Sequence, residues 1–300
     1  MSESLALYTT VYPGVEPYLL PWYKSVLAQT DRNFDLWIGV DSLHPDKVIQ
    51  LTGAEPESVN FITSNEGSPA QIRHQALEFL VDDYSAIVFV DSDDLLYRTR
   101  VDVARKALED FDVAGCALRI IDEAGSDLGL TFGQTDGEEI GSLLPRYNVF
   151  GLSNTAYRCD VLRRCLPLGN DCELVDWSLA TRAWADGADL TFENEPQMFY
   201  RQYSRNVARV LLPFSRTQVL AATQRVVGHY RCLLQSERPV NGTCGNALQI
   251  AYERVSLFHR VINESAEALE SYIAELNQKT PRYVWWWCVA HPELEHIWKN

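Results

Sequence analysis

No stretch of this 300-residue sequence stays apolar long enough to cross a bilayer. The longest uninterrupted apolar run, Tyr283 to Ala290, falls far short of the roughly 20 residues a membrane-spanning helix requires. Basic residues are scarce too: Lys and Arg number 26 against 41 Asp and Glu, a formal net charge of −15. Nucleic-acid binding draws on clustered cations and counterion release, so that class of partner is excluded, and an anionic ligand would need a local exception. The seven cysteines are odd in number and contain no CxxC pair, which argues against a zinc cluster or a complete disulfide framework and for free thiols in a reducing compartment. Glu3 and the brief apolar run from Leu5 do not fit a secretory signal, so a cytoplasmic location is expected, and the sequons at Asn241 and Asn263 would then go unmodified. No G-x-G-x-x-G follows an apolar run and no Gly-rich phosphate loop lies near the first one, which sets aside a Rossmann oxidoreductase and a pyrophosphorylase-type nucleotidyltransferase.

The residues that are present alternate in texture over the first two-thirds of the chain. Leu5–Val11, Phe34–Val40, Val59–Ile62, Ala86–Val90 and Val113–Ile120 are short β-rich runs ended by polar or Gly/Pro punctuation. Between them, 18–29 and 69–81 carry apolar residues at helical spacing, for example Ile72, Ala76, Leu77 and Leu80. Strand and helix in alternation predict an α/β fold with a mainly parallel sheet flanked by helices, whose ligands sit past the carboxyl ends of the strands. After about Val210 the pattern becomes helical over 215–235 and 247–276, around the turn-rich 238–245. This implies a first domain over 1–210 and a C-terminal α-helical extension over 211–300, which also offers a surface for a homo-oligomer. Trp285, Trp286 and Trp287 belong to that extension, as packing residues or else as a dimer contact, an acceptor platform or a membrane-surface anchor.

Asp91, Asp93 and Asp94 follow directly on the apolar run Ala86–Val90. Carboxylates packed this closely raise one another's pKa unless a cation intervenes. A hard dication, Mg²⁺ or Mn²⁺, held by one or two of them together with diphosphate oxygens would satisfy the cluster. An EF-hand does not fit, because Leu96 stands where that loop needs Gly.

Asp91-Ser92-Asp93-Asp94 after an apolar strand resembles the DxD motif of the GT-A fold, and the surrounding chain resembles glycosyltransferase family 2. Tyr23-Lys-Ser-Val-Leu-Ala-Gln-Thr30 and Asp35-Leu-Trp-Ile-Gly-Val-Asp41 are similar to that family's opening helix and second strand. Gly67-Ser-Pro-Ala-Gln-Ile-Arg73-His74 is similar to its G-x-A-x-x-R-N segment, with His74 in place of Asn. Glu173-Leu-Val-Asp176-Trp177-Ser-Leu-Ala-Thr-Arg182 is similar to its E-D-x-x-L-x-x-R element, with Val175 in place of the glutamate that precedes the catalytic Asp. Tyr200-Arg201-Gln-Tyr203-Ser-Arg-Asn206 is similar to its closing Y-R segment.

The resemblance implies a nucleoside diphosphate sugar as donor, UDP first, and an acceptor hydroxyl on a glycan, lipid, protein or small molecule. It implies nucleotide contacts from Thr9, Tyr12, Asp41, Arg73, Ser92 and Arg201, and metal ligation by Asp91 and Asp93 with Asp94 either direct or behind them. Asp176 would be the general base of an inverting transfer. On residue type alone it could equally cap the helix that follows, where a capping Asp contributes about 1 kcal/mol. Two other classes compete: a haloacid-dehalogenase-like phosphatase with Asp91 as nucleophile, and a carbohydrate-binding protein of the same fold without turnover.

Overall fold

The computed structural model describes residues 4–64, 69–133, 138–169, 172–204 and 206–299. Gly67, Ser68 and Arg205 of the motifs above lie outside the described residues. In chain order the elements are β1 (Leu5–Val11), α1 (Glu16–Leu27), β2 (Asp35–Asp41), α2 (Pro45–Thr52), β3 (Asn60–Ser64), α3 (Pro69–Asp83), β4 (Ala86–Phe89), β5 (Leu95–Leu96), α4 (Arg100–Asp110) and β6 (Val113–Ile121). They continue with β7 (Asp127–Phe132), α5 (Ile140–Leu143), β8 (Thr155–Arg158), α6 (Cys159–Cys165), α7 (Val175–Ala185) and β9 (Leu190–Arg201). The C-terminal part contributes α8 (Arg216–Leu234), α9 (Gly242–Glu264), α10 (Ala266–Leu276) and α11 (Glu295–Trp298).

The sheet runs β3-β2-β1-β4-β8-β6-β9-β5, with β7 paired to β6. Its first four strands are parallel, as expected of βαβ units, and every residue of β1 is buried because helices cover both faces. Beyond β4 the expected parallel order gives way to a mixed sheet. β8 is antiparallel to both β4 and β6, β5 and β7 also pair antiparallel, and β6–β9 is parallel. Antiparallel strands need no helical crossover, so the alternation of strand and helix that marks parallel units carries no sign of them.

In the C-terminal part, α8 starts behind Ser215, whose hydroxyl accepts the Gln218 amide while the Gln218 side chain accepts the Ser215 amide, a capping box. The single helical run expected over 247–276 is instead two helices. Ser265 breaks it, because its Oγ accepts the Ala268 amide at 3.1 Å and starts α10 afresh. One hydrophobic core extends from Leu5 to Trp298 and includes Trp285, Trp286 and Trp287, all 6% exposed or less. No helix among the described residues is long and apolar enough to cross a membrane.

Candidate active site

At the carboxyl ends of β1 and β4 a cavity of about 290 Å³ opens, the place where parallel sheets present ligands. Asp91 and Asp93 form one side, Tyr12 and Arg73 flank them, and Asp176 stands at the start of α7. The Trp285 and Trp286 rings close the wall.

Asp91 follows Val90, whose amide donates to the Tyr8 carbonyl and extends the β1–β4 ladder by one step before the chain turns. Burial pushes the Asp91 carboxyl up to about 7; Arg73 opposes this, and Asp93 and Asp176 add to it. Asp93 is buried and accepts the Tyr203 hydroxyl at 2.7 Å; burial raises its pKa, and the tyrosine and two arginines pull it back. Tyr203 in turn shares a hydrogen bond with Tyr12, so one aromatic pair fixes the carboxylate and the rim above it.

Asp176 lies in the first turn of α7, but the cap position is Leu174, which makes no side-chain cap bond. Its carboxylate accepts the Asn148 amide group at 2.9 Å instead. Burial raises its pKa to about 6, against the first-turn amides of Trp177 and of Asp176 itself, the field of Arg73 and the Asn148 bond. Asn148 is fully buried, and its Oδ1 accepts the Phe150 amide at 2.9 Å. Nearby, Asn154 pins the same loop by donating to the Cys116 and Val149 carbonyls and accepting the Gly151 amide. Gly151 must lack a side chain, since the Trp285 ring occupies the place of its Cβ, with Cζ3 at 2.8 Å. Trp285 is also held by its own amide, which donates to the Asn148 carbonyl at 3.1 Å, and by its indole N–H, which donates to the Tyr200 hydroxyl at 3.1 Å.

Several residues expected at the site do not line this cavity. Asp94, offered as a metal ligand, points into protein: one carboxylate oxygen accepts the Arg201 amide at 2.7 Å and the other accepts the Ser153 hydroxyl. Ser92 is 1% exposed and donates to the Thr10 carbonyl at 2.8 Å, which ties the turn to β1. Arg201 is neither a phosphate clamp nor a surface ion pair. Its guanidinium is buried and donates to the carbonyls of Asp93, Asp122 and Glu123, and it lies 4.7 Å from the Tyr18 ring centre. Thr9, at 1% exposure, is inside β1 with its hydroxyl unpartnered. Asp41 ends β2 buried, accepting the Ser42 hydroxyl at 2.8 Å.

The structure therefore brings Asp91, Asp93, Asp176, Tyr12 and Arg73 together around one space. Asn148, which holds Asp176, Gly151, which admits the Trp285 ring, and Ser153, which holds Asp94, lie in a loop without periodicity and carry no signal in the sequence. Among the described residues no three His, Cys, Asp or Glu side chains converge into a self-sufficient metal site. Two carboxylates of raised proton affinity facing one cavity do fit a hard dication that takes its remaining ligands from a bound diphosphate and water.

No family model matches the chain. An 89-residue stretch, 29% of the chain, is 30% identical to an uncharacterized glycosyltransferase of Rickettsia conorii and 29% identical to one of Rickettsia felis. The chain spans 14% of the length of these curated relatives. Among solved structures, the mannosyltransferase PcManGT of Pyrobaculum calidifontis, in complex with GDP-Man and Mn²⁺, superposes with a TM-score of 0.61 at 15% identity, covering 92% of this chain and 76% of that one. S. aureus TarS 1–349 gives 0.60 at 12% identity, covering 90% and 77%; its complex with UDP-GlcNAc gives 0.56 at 13%, covering 98% and 81%. The chain thus has the GT-A-like α/β fold of these proteins.

Proposed function

We propose that this chain is a glycosyltransferase that moves a sugar from a nucleoside diphosphate sugar to an acceptor hydroxyl, with inversion at the anomeric carbon. The observation that carries this reading is the convergence of Asp91, Asp93 and Asp176 on one cavity, the first two from the β4 turn and the third from α7. The fold of sugar-nucleotide-binding neighbours and the glycosyltransferase names of the relatives support it.

In this reading Asp91 and Asp93 hold a divalent cation, Mn²⁺ or Mg²⁺. When bound, the ion offsets the negative charge that gathers on the leaving diphosphate. Arg73 adds a fixed positive charge beside the same carboxylates, and Tyr12 lines the nucleotide side. Asp41, at the carboxyl end of β2, is the candidate partner of the nucleobase. Asp176 takes the proton of the acceptor hydroxyl. With a pKa near 6 it is ionised at neutral pH yet remains a better base than an ordinary aspartate. Asn148 holds it in orientation. Residues 1–210 supply the donor and base groups, and the 211–300 extension contributes the tryptophan wall on which an acceptor sugar would stack. UDP is the first expectation for the donor and GDP the alternative, since the neighbours hold one or the other. The phosphatase alternative finds no lysine among the described residues lining the cavity.

Thermal unfolding with UDP, GDP and their sugars, with and without Mn²⁺, tests the proposal, because a ligand that binds only the folded state raises its melting temperature. One nucleotide should stabilise strongly only with the metal, and Asp93→Ala should erase that dependence. Asp176→Asn should keep nucleotide binding and lose transfer by about 10²–10⁴-fold. Unchanged transfer by Asp176→Asn would remove the base from the mechanism.

A further inference from the structure

A cavity of about 810 Å³ lies apart from the one that holds the carboxylates. It lies between the α6–α7 connection (Pro167 to Gly169), α7 at Arg182, and the end of α8 with the segment that follows it. In a chain with a charge of −15 it is lined by three arginines, Arg182, Arg231 and Arg238, with Glu237 as the one carboxylate and His74 at its edge.

None of the three guanidiniums makes an ion pair among the described residues. Arg238 donates to the Leu166 and Arg164 carbonyls, and Arg231 donates to the Tyr252 hydroxyl at 3.2 Å. Neutral oxygens of this kind satisfy donors but leave the positive charge without a counter-ion. Arg182 is the sharpest case. It is 6% exposed, its Nε is buried without any partner, and its Nη2 has a single long contact, 3.4 Å, to Ser236 Oγ, another residue lining the cavity. At the edge, His74 has its Nδ1 buried without a partner while its Nε2 faces Glu78 at 3.2 Å.

A buried guanidinium lacking a counter-ion is expensive, and unsatisfied buried donors are rare in folded proteins. An anion reaching Arg182 from the cavity would satisfy the free Nε–H, in the forked geometry guanidinium offers to phosphate. We propose that this cavity is a second ligand site, distinct from the carboxylate cavity, that binds a phosphate-type oxyanion through Arg182, Arg231 and Arg238. Its volume suits a small organic molecule carrying the phosphate as well as the free ion. The two cavities share two elements. α3 presents Arg73 to one and His74 to the other; α7 presents Asp176 to one and, six residues later, about 9 Å along the axis, Arg182 to the other. An anionic group on an acceptor and a free anion acting from the side are therefore the two sources to separate.

Calorimetric titration of the whole, EDTA-treated chain at constant ionic strength, with inorganic phosphate, glucose 6-phosphate and glucose, tests this without any step of sugar transfer. Phosphate and glucose 6-phosphate should bind and glucose should not. Tighter binding of the sugar phosphate assigns the anion to an organic carrier, and equal binding assigns it to the free ion. Arg231→Glu, an exposed position, should weaken phosphate binding by about tenfold or more while leaving the melting temperature in place. Arg182→Lys, which keeps the charge and loses the fork, should weaken it as well. Asp176→Asn should bind phosphate as the unaltered chain does, so failure of the transfer reading leaves this result standing. Absence of millimolar phosphate binding, or equal binding by Arg231→Glu, would overturn the proposal.

Discussion

Changing Asn148 to Asp tests the base assignment through a pH profile, not a loss of activity. The substitution keeps the shape of the side chain and the oxygen that accepts the Phe150 amide, so the loop retains that bond. It removes the donor that reaches Asp176 at 2.9 Å and places a second carboxyl beside the first. Both changes favour the protonated form of Asp176. A hydrogen bond to a charged group contributes about 1.5–3 kcal/mol, and one pKa unit corresponds to about 1.4 kcal/mol, so loss of the donor alone moves the pKa up by about one to two units. Asp176 starts at about 6. Under saturating Mn²⁺, which keeps Asp91 and Asp93 ionised, the acid limb of kcat/KM for release of nucleoside diphosphate should sit near 6 in the unaltered chain. In Asn148→Asp it should move to about 7–8, while the alkaline plateau retains most of its height. An acid limb that stays near 6 in a variant with unchanged far-UV circular dichroism would refute the assignment, because ionisation of Asp176 would then not govern the rate.

Three further outcomes follow from the same geometry. In EDTA, stability should fall as pH rises from about 4 to about 7: Asp91 and Asp176, raised from 3.8 to about 7 and about 6, keep protons in the folded state that the unfolded chain has already released. Melting temperatures across that range should show this slope, and Mn²⁺ should flatten or invert the Asp91 share of it by binding Asp91 and Asp93 in their ionised forms. Gly151→Ala forces a Cβ into the Trp285 ring and should destabilise by about 1–3 kcal/mol, read by urea unfolding, with loss of nucleotide-dependent stabilisation; unaltered unfolding would show that the ring is free to move. Arg201→Lys keeps the charge but cannot span the carbonyls of Asp93, Asp122 and Glu123; it should lower the melting temperature by several degrees, whereas a phosphate-clamp role would leave stability intact and reduce nucleotide affinity alone.

Much of the first half of the fold is written locally. Leu5–Val11 is a strand at the boundaries its β-branched and aromatic residues suggest, and 69–81 is helical inside the observed Pro69–Asp83, because each pattern needs only its own periodicity. The placement of Asp91 at the end of an apolar strand is legible for the same reason. What is not legible depends on partners far apart in sequence. The role of Asp94 is set by Ser153, 59 residues on, and by the Arg201 amide, 107 residues on. Asn148 reaches Asp176 across 28 residues from a loop with no repeating pattern. Arg201 reads as a phosphate ligand when seen alone, and only the folded chain shows its donors spent on carbonyls. The break at Ser265 sits inside a continuous helical periodicity, and local hydrogen bonding of one serine wins over it.

The Asn148 backbone pairs with Trp285 while its side chain holds Asp176, so the two sides of the cavity are joined by a residue pair 137 positions apart (285 − 148). During synthesis, a ribosome that has released the whole sheet has still not released that tryptophan. The cavity can close only after that segment has emerged and docked, so until then its wall is missing even with every carboxylate already made.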